Sequence, residues 1–116
     1  MKYILLIYGD ERGWAELSKA QMEQIYADHR AYGEAMQTAG VIRGGSELKP
    51  VSTATSVKFT KGKPRTVDGP FAETREQLAG FYMIDVPNLE EALSWAERMP
   101  GMNEGTVEVR PLTPHD

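Results

Sequence analysis

Apolar positions along the chain follow two periods. Tyr3-Ile4-Leu5-Leu6-Ile7-Tyr8 is a continuous apolar run of strand length, the pattern of a strand buried on both faces. Gly9-Asp10-Glu11 opens a turn that reads through Gly13. Ser18 with Gln21 has capping-box spacing, which predicts a helix from Lys19. Met22, Ile25, Tyr26, His29, Tyr32, Gly33 and Met36 then recur in steps of three and four, one face of that helix. Gly40 stands where a terminating glycine belongs. Residues 41–48 form a weaker strand, loosened by Gly44-Gly45, and residues 56–59 and 65–68 flank Lys61-Gly62-Lys63 as a small hairpin. Residues 80–86 are a second apolar strand. Asn88 with Glu91 repeats the capping spacing, and Leu89, Ala92, Leu93, Ala96 and Met99 stripe a second helix that Pro100-Gly101 stops. In residues 106–112, Val107 and Val109 alternate with Glu108 and Arg110 as in a last strand.

With the hairpin set aside, the order is β-α-β-β-α-β, a ferredoxin-like α+β fold. One domain spans residues 1–116, with the last few residues, His115 among them, a tail. This topology places the first and third strands in the middle of an antiparallel sheet with both helices on one face. The two runs that are apolar throughout, 3–8 and 81–84, are the two it makes central. The other sheet face then exposes Ile4, Leu6 and Tyr8 or their neighbours, at roughly 1.5–3 kcal/mol for each large side chain left wet. A contiguous patch of that kind marks an interface. The expectation is a homodimer packed sheet against sheet, a dimeric α+β barrel with a cavity between or beside the sheets.

Composition narrows the classes. The chain has 13 basic and 17 acidic residues, a net charge of −4, and no basic stripe beyond the interrupted segment 58–65, so nucleic-acid binding is not expected. It has no cysteine, which excludes disulfides and thiolate metal sites. The apolar start is too short for a signal sequence, and no run approaches membrane-spanning length. The reading is a cytoplasmic protein without a membrane partner.

Candidate chemistry centres on a few residues. Asp68-Gly69-Pro70 reads first as a turn, and second as a carboxylate at the cavity mouth acting as general base. Glu73 is either a surface carboxylate paired with Arg75 or Lys63, or a second acid sharing the Asp68 site. Two oxygen ligands make a poor metal site, and no metal is expected. His29 lies on the inner helical stripe. It is either a half-buried histidine satisfied by a backbone carbonyl or a tyrosine hydroxyl, or a histidine oriented by a carboxylate such as Asp68 for proton transfer. Tyr8 ends the first central strand, and Trp14 is placed to cover a site from the loop beyond it. Gly44-Gly45 lacks the strand–loop–helix context of a phosphate loop.

Residues 3–8, His29, Gly40, Gly44, Gly45, Asp68-Gly69-Pro70-Phe71-Ala72-Glu73-Thr74, Gly80-Phe81-Tyr82 and Asn88-Leu89-Glu90-Glu91-Ala92 together resemble the DGPF-domain branch of the YCII-related family. The resemblance spans almost the whole chain and implies a dimeric α+β barrel. It implies a His–Asp pair in the pocket, carried here by His29 and Asp68, with aromatic-degradation chemistry in some relatives. It also implies association of some members with sigma factors, which this chain would meet in trans. Two functions follow as expectations. One is a small-molecule enzyme without an organic cofactor, with His29 and Asp68 catalytic and Tyr8, Phe71 and Glu73 binding substrate. The other is a non-enzymatic ligand-binding or regulatory module that works with a sigma factor.

Overall fold

A computed structural model describes residues 1–115. The chain is an α+β fold. Its elements are β1 (Lys2–Gly9), α1 (Glu11–Ala15), α2 (Lys19–Thr38), β2 (Ile42–Glu47), β3 (Thr55–Thr60), β4 (Lys63–Asp68), β5 (Gln77–Asp85), α3 (Leu89–Glu97) and β6 (Thr106–Pro111), with one 3-10 turn at Val51–Thr53. Four strands form an antiparallel sheet in the order β2-β5-β1-β6, so the two apolar runs occupy its centre. β3 and β4 form a separate two-stranded sheet closed by Lys61-Gly62, both at positive φ, as a two-residue hairpin turn requires.

Alternation along β1 divides the sheet into two faces. Tyr3, Leu5 and Ile7 point to the helices and join Tyr32 and Met36 of α2, Ile84, Val86, Ala92 of α3 and Met99 in one core cluster. Ile4, Leu6 and Tyr8 alternate to the other face and are half-buried, with Met83 opposite Ile4 and Phe81 opposite Leu6. The helices start where the caps predict. Ser18 and Gln21 form a reciprocal capping box, and the Asn88 side chain accepts from the Glu91 N–H.

Three boundaries depart from the sequence reading. The segment expected as a turn, 9–13, contains most of α1, a one-turn helix capped by Asp10, whose carboxylate accepts from the Arg12 N–H at 2.9 Å. A helix this short has no periodicity to read. It is held instead from outside, by the Gln77 side chain accepting from Glu11 N–H and by the Glu11 carboxylate accepting from Val51 N–H. β5 begins at Gln77 rather than Gly80, because a bulge at Ala79 lets Leu78 pair with Tyr8 beyond the glycine. The 3-10 turn at Val51–Thr53 follows Pro50 and was not foreseen.

Candidate functional site

α2 crosses the helix-covered face of the sheet and carries His29 over Tyr82 of β5. Strand alternation sets Gly80, Tyr82 and Ile84 on that face, opposite Ile7, Leu5 and Tyr3. The imidazole Nδ1 lies 2.8 Å from the Tyr82 hydroxyl, and the two rings are nearly parallel with centroids 6.0 Å apart. Tyr32 packs edge-on to both, and its own hydroxyl donates to the Trp95 carbonyl at 2.6 Å. Tyr82 is therefore free of competition from Tyr32 for the histidine.

These groups open into a cavity of about 480 Å³ between α2, the strand pair β2–β5 and the segment 100–102. That volume lies in the range of small-ligand sites. Its walls are mainly apolar: Ile7, Trp14, Met22, Ile25, Leu48, Pro50 and Met102. Its polar groups are His29, Tyr82, Tyr26, Ser46, Glu47, Glu11 and Lys49. Tyr26 donates to the Glu47 carboxylate at 3.0 Å, which fixes that acid at the rim. Trp14 reaches the cavity from α1 because Gly9 lets it: a Cβ there would sit 2.4 Å from two atoms of the indole ring. The same indole lines a second cleft of about 490 Å³ with Asp10, Leu17 and Glu104.

The electrostatics hold both partners of the pair neutral near pH 7. Burial lowers the proton affinity of His29, and this outweighs the opposing pull of the Glu47 charge, the Pro100 carbonyl and Asp28. Burial raises the Tyr82 phenol, and burial with Tyr82 as neighbour raises Tyr32 strongly. Glu47, through its hydrogen bond, raises Tyr26. A neutral imidazole can accept a proton, and the imidazolium so formed would face Glu47 and the Pro100 carbonyl. The unfolded histidine, at 6.5, takes its proton before the folded one does. Stability is therefore complete above about 6.5 and declines as the pH falls through the lowered folded value. Two results are expected: an NMR titration midpoint of His29 below 6.5, and a smaller acid loss of urea stability between about pH 7 and 5 in His29→Gln than in the parent. A midpoint at or above 6.5 would contradict the burial argument.

Of the residues singled out from sequence as catalytic or substrate-binding, the structure brings His29 to this cavity, with Trp14 covering it from α1. Asp68 ends β4 with its side chain exposed, and no hydrogen bond or ion pair joins it to His29. The turn after it is built by backbone: Gly69 N–H donates to Ala54 carbonyl, and Ser56 hydroxyl donates to Gly69 carbonyl at 2.7 Å. Phe71 and Glu73 are exposed on the loop that follows. Tyr8 lies on the opposite sheet face, with Ile4 and Leu6. Tyr82, which bonds His29, and Glu47, whose charge acts on it from the cavity wall, were not singled out. Tyr82 had a readable signal, its two-residue spacing from Gly80 and Ile84. Glu47 had none, because the irregular pairing of β2 at Ile42–Gly44 hides its phase. Among the described residues no three His, Cys, Asp or Glu side chains converge on a metal-sized point, and no helix is long and apolar enough to cross a membrane.

A family model described as the YCII-related domain matches residues 1–116. The chain is also similar to Uncharacterized protein R00369 of Rhizobium meliloti (strain 1021), at 39% identity over 114 residues, covering 97% of this chain and 92% of that protein.

Proposed function

As the chain belongs to the YCII-related family, we propose that it is a proton-transfer enzyme acting on a small, uncharged, mostly apolar molecule that carries a carbonyl or hydroxyl oxygen. The observation that carries this reading is the His29–Tyr82 pair at 2.8 Å, both groups neutral, opening into a largely apolar cavity. In the tautomer with its proton on Nδ1, His29 would donate to the Tyr82 oxygen and accept the substrate's proton at Nε2 as general base, leaving the Tyr82 O–H to donate to the substrate oxygen as charge develops; Glu47, tied by Tyr26, would stabilise the resulting imidazolium. Glu11 and Glu47 outnumber Lys49 among the charged groups of the wall, which disfavours an anionic ligand. No organic cofactor is required by this chemistry.

The dimer belongs to the same proposal. A ferredoxin-like arrangement with a bare apolar sheet face is half of a dimeric α+β barrel, and the half-buried row Ile4, Leu6, Tyr8, Phe81 and Met83 supports that assembly. The competing proposal is a non-enzymatic module that works with a sigma factor in trans.

Hydrogen–deuterium exchange tests the enzyme reading. Incubated in D2O with a panel of small cyclic ketones and phenols, the protein should accelerate exchange into at least one of them. His29→Ala should lower that rate by about 100-fold or more with the circular dichroism spectrum unchanged. Exchange equal in parent and His29→Ala would overturn the role of His29. A panel that neither binds nor exchanges, with a sigma factor captured by the folded protein, would favour the competing proposal.

A further inference from the structure

The His29 cavity has a direction. On the helix-covered face of the sheet, Leu5 lies beside Tyr82, Ile7 beside Gly80 and Gly9 beside Gln77. Four strand residues separate Leu5 from Gly9, about 13 Å. α2 runs the opposite way above them, since the Val41 carbonyl just past its end accepts from the Asp85 N–H, and Asp85 pairs with Lys2 at the start of β1. His29, Ile25 and Met22 therefore follow one another along the same axis, over about 10 Å of helix rise. Strand and helix give one order. The His29–Tyr82 pair stands at one end, Ile7 and Ile25 lie in the middle, and Gly9 and Met22 stand at the other end. The Trp14 indole lies on Gly9 at that far end, where a Cβ would come within 2.4 Å of the ring. The second cleft, of about 490 Å³, shares the walls Trp14, Ile25, Gly101 and Met102 with the first, so these four residues stand between the two.

We propose that Trp14 sets the length of substrate that the His29 cavity accepts. The indole is its end wall, and the substrate is an elongated molecule with its oxygen at His29–Tyr82 and an unbranched apolar tail that runs past Ile7 and Ile25 to the ring. This inference rests on the proton-transfer reading only for which end reacts. The path between the two ends is lined by carbon and thioether groups, Ile7, Ile25, Met22 and Met102, so a tail gains by burial along its length. The two methionines are unbranched and adjust to its shape. The wall itself is held by polar tethers rather than by packing. α1 buries no residue, yet the Gln77 side chain accepts from the Glu11 N–H at 2.9 Å, and the Glu11 carboxylate accepts from the Val51 N–H at 3.0 Å. Those two bonds fix the helix that carries Trp14 to β5 and to the segment beyond β2. The indole is thus placed by its own short helix and admitted by Gly9, and replacing it with a small side chain would run the two clefts together.

The test uses the full chain and a series of straight-chain methyl ketones from butanone to undecanone, with binding followed by isothermal titration and by the amide shifts of Gly101 and Met102. In the parent, affinity should rise about fourfold with each added methylene and stop rising once the tail reaches the indole. In Trp14→Ala the rise should continue past that length, with undecanone bound at least tenfold more tightly than by the parent. Trp14→Phe, a smaller ring in the same place, should move the stop to a longer ketone without removing it. Circular dichroism checks that both variants are folded, and the parent series stands as a test without them. An affinity that climbs unbroken through undecanone in the parent, or a stop at the same length in all three proteins, would overturn the end wall. Failure of the parent to bind any member would overturn the elongated substrate. None of these readouts needs turnover. Ketones that bind with the expected stop but exchange no deuterium would count against proton transfer and leave the wall standing, whereas exchange in a series with no stop would do the reverse.

Discussion

Leu5→Ala is expected to lower the unfolding free energy by about 3 kcal/mol, within the roughly 2–5 kcal/mol that buried leucine truncations cost. Leu5 is fully buried at 0% exposure in the middle of β1. It is paired with Tyr82 on one side and Val109 on the other, both on the helix-covered face. The sheet backbone on both sides is hydrogen-bonded, so the hole left by three missing carbon atoms cannot close by moving the strand. The lost transfer free energy and the residual cavity therefore add. A domain of this size has total stability on the order of 5–15 kcal/mol, so the urea midpoint should fall conspicuously. Leu6, the next residue, points to the other face and is half-buried. Leu6→Ala in dilute protein should cost clearly less. Equal losses at the two positions would contradict the assignment of the two faces.

Gly45→Ala is the second large effect, and it joins the sheet to the site. A Cβ at this position would lie 2.7 Å from the Phe81 carbonyl oxygen and 3.0 Å from Cδ1 of the Tyr82 ring. The first contact is with backbone, so β2 must retreat from β5, and the second makes the Tyr82 ring give way beside His29. Overpacking of this kind costs about 1–3 kcal/mol. A displaced Tyr82 also uncovers His29 and removes its hydrogen-bond partner. The expected outcome is a lower urea midpoint together with an NMR titration of His29 that moves up toward 6.5. A variant with the parent's stability and the parent's histidine titration would show that the strand pair has more room than its geometry indicates.

The sheet was legible in the sequence because its two central strands are apolar at every position while its edges are not. Tyr3–Tyr8 and Phe81–Ile84 need both faces covered, and only interior positions give that. Both long helices announced themselves by their caps at Ser18 and Asn88. The site was legible only where periodicity reached it. His29 falls on the inner stripe of α2, so its direction followed from the step of three and four. The structural alternative considered for it, a tyrosine hydroxyl as partner, describes the bond to Tyr82. Asp68 attracted notice because acidic turns can be chemical. Its turn in this chain is satisfied by backbone and Ser56, and its carboxylate faces solvent. Contacts between distant segments were not legible. Glu47 near His29, Gln77 on α1 and Glu11 on Val51 all depend on how loops return, and local pattern carries no trace of that.

The pairing of β1 has a consequence for the order of assembly. Lys2 pairs with Asp85 and Tyr3 with Pro111, so the most apolar strand of the sheet has no neighbour drawn from the half of the chain made first. A nascent chain carries Tyr3–Tyr8 unpaired while α2, β2 and the hairpin emerge, and the core closes only once β5 and β6 arrive. Loop-closure entropy over such separations slows folding. The interval exposes a short, uncharged, aggregation-prone strand. The charges at Lys2 and Asp10-Glu11, on either side of that strand, then act as gatekeepers during synthesis, before they hold anything in the finished structure.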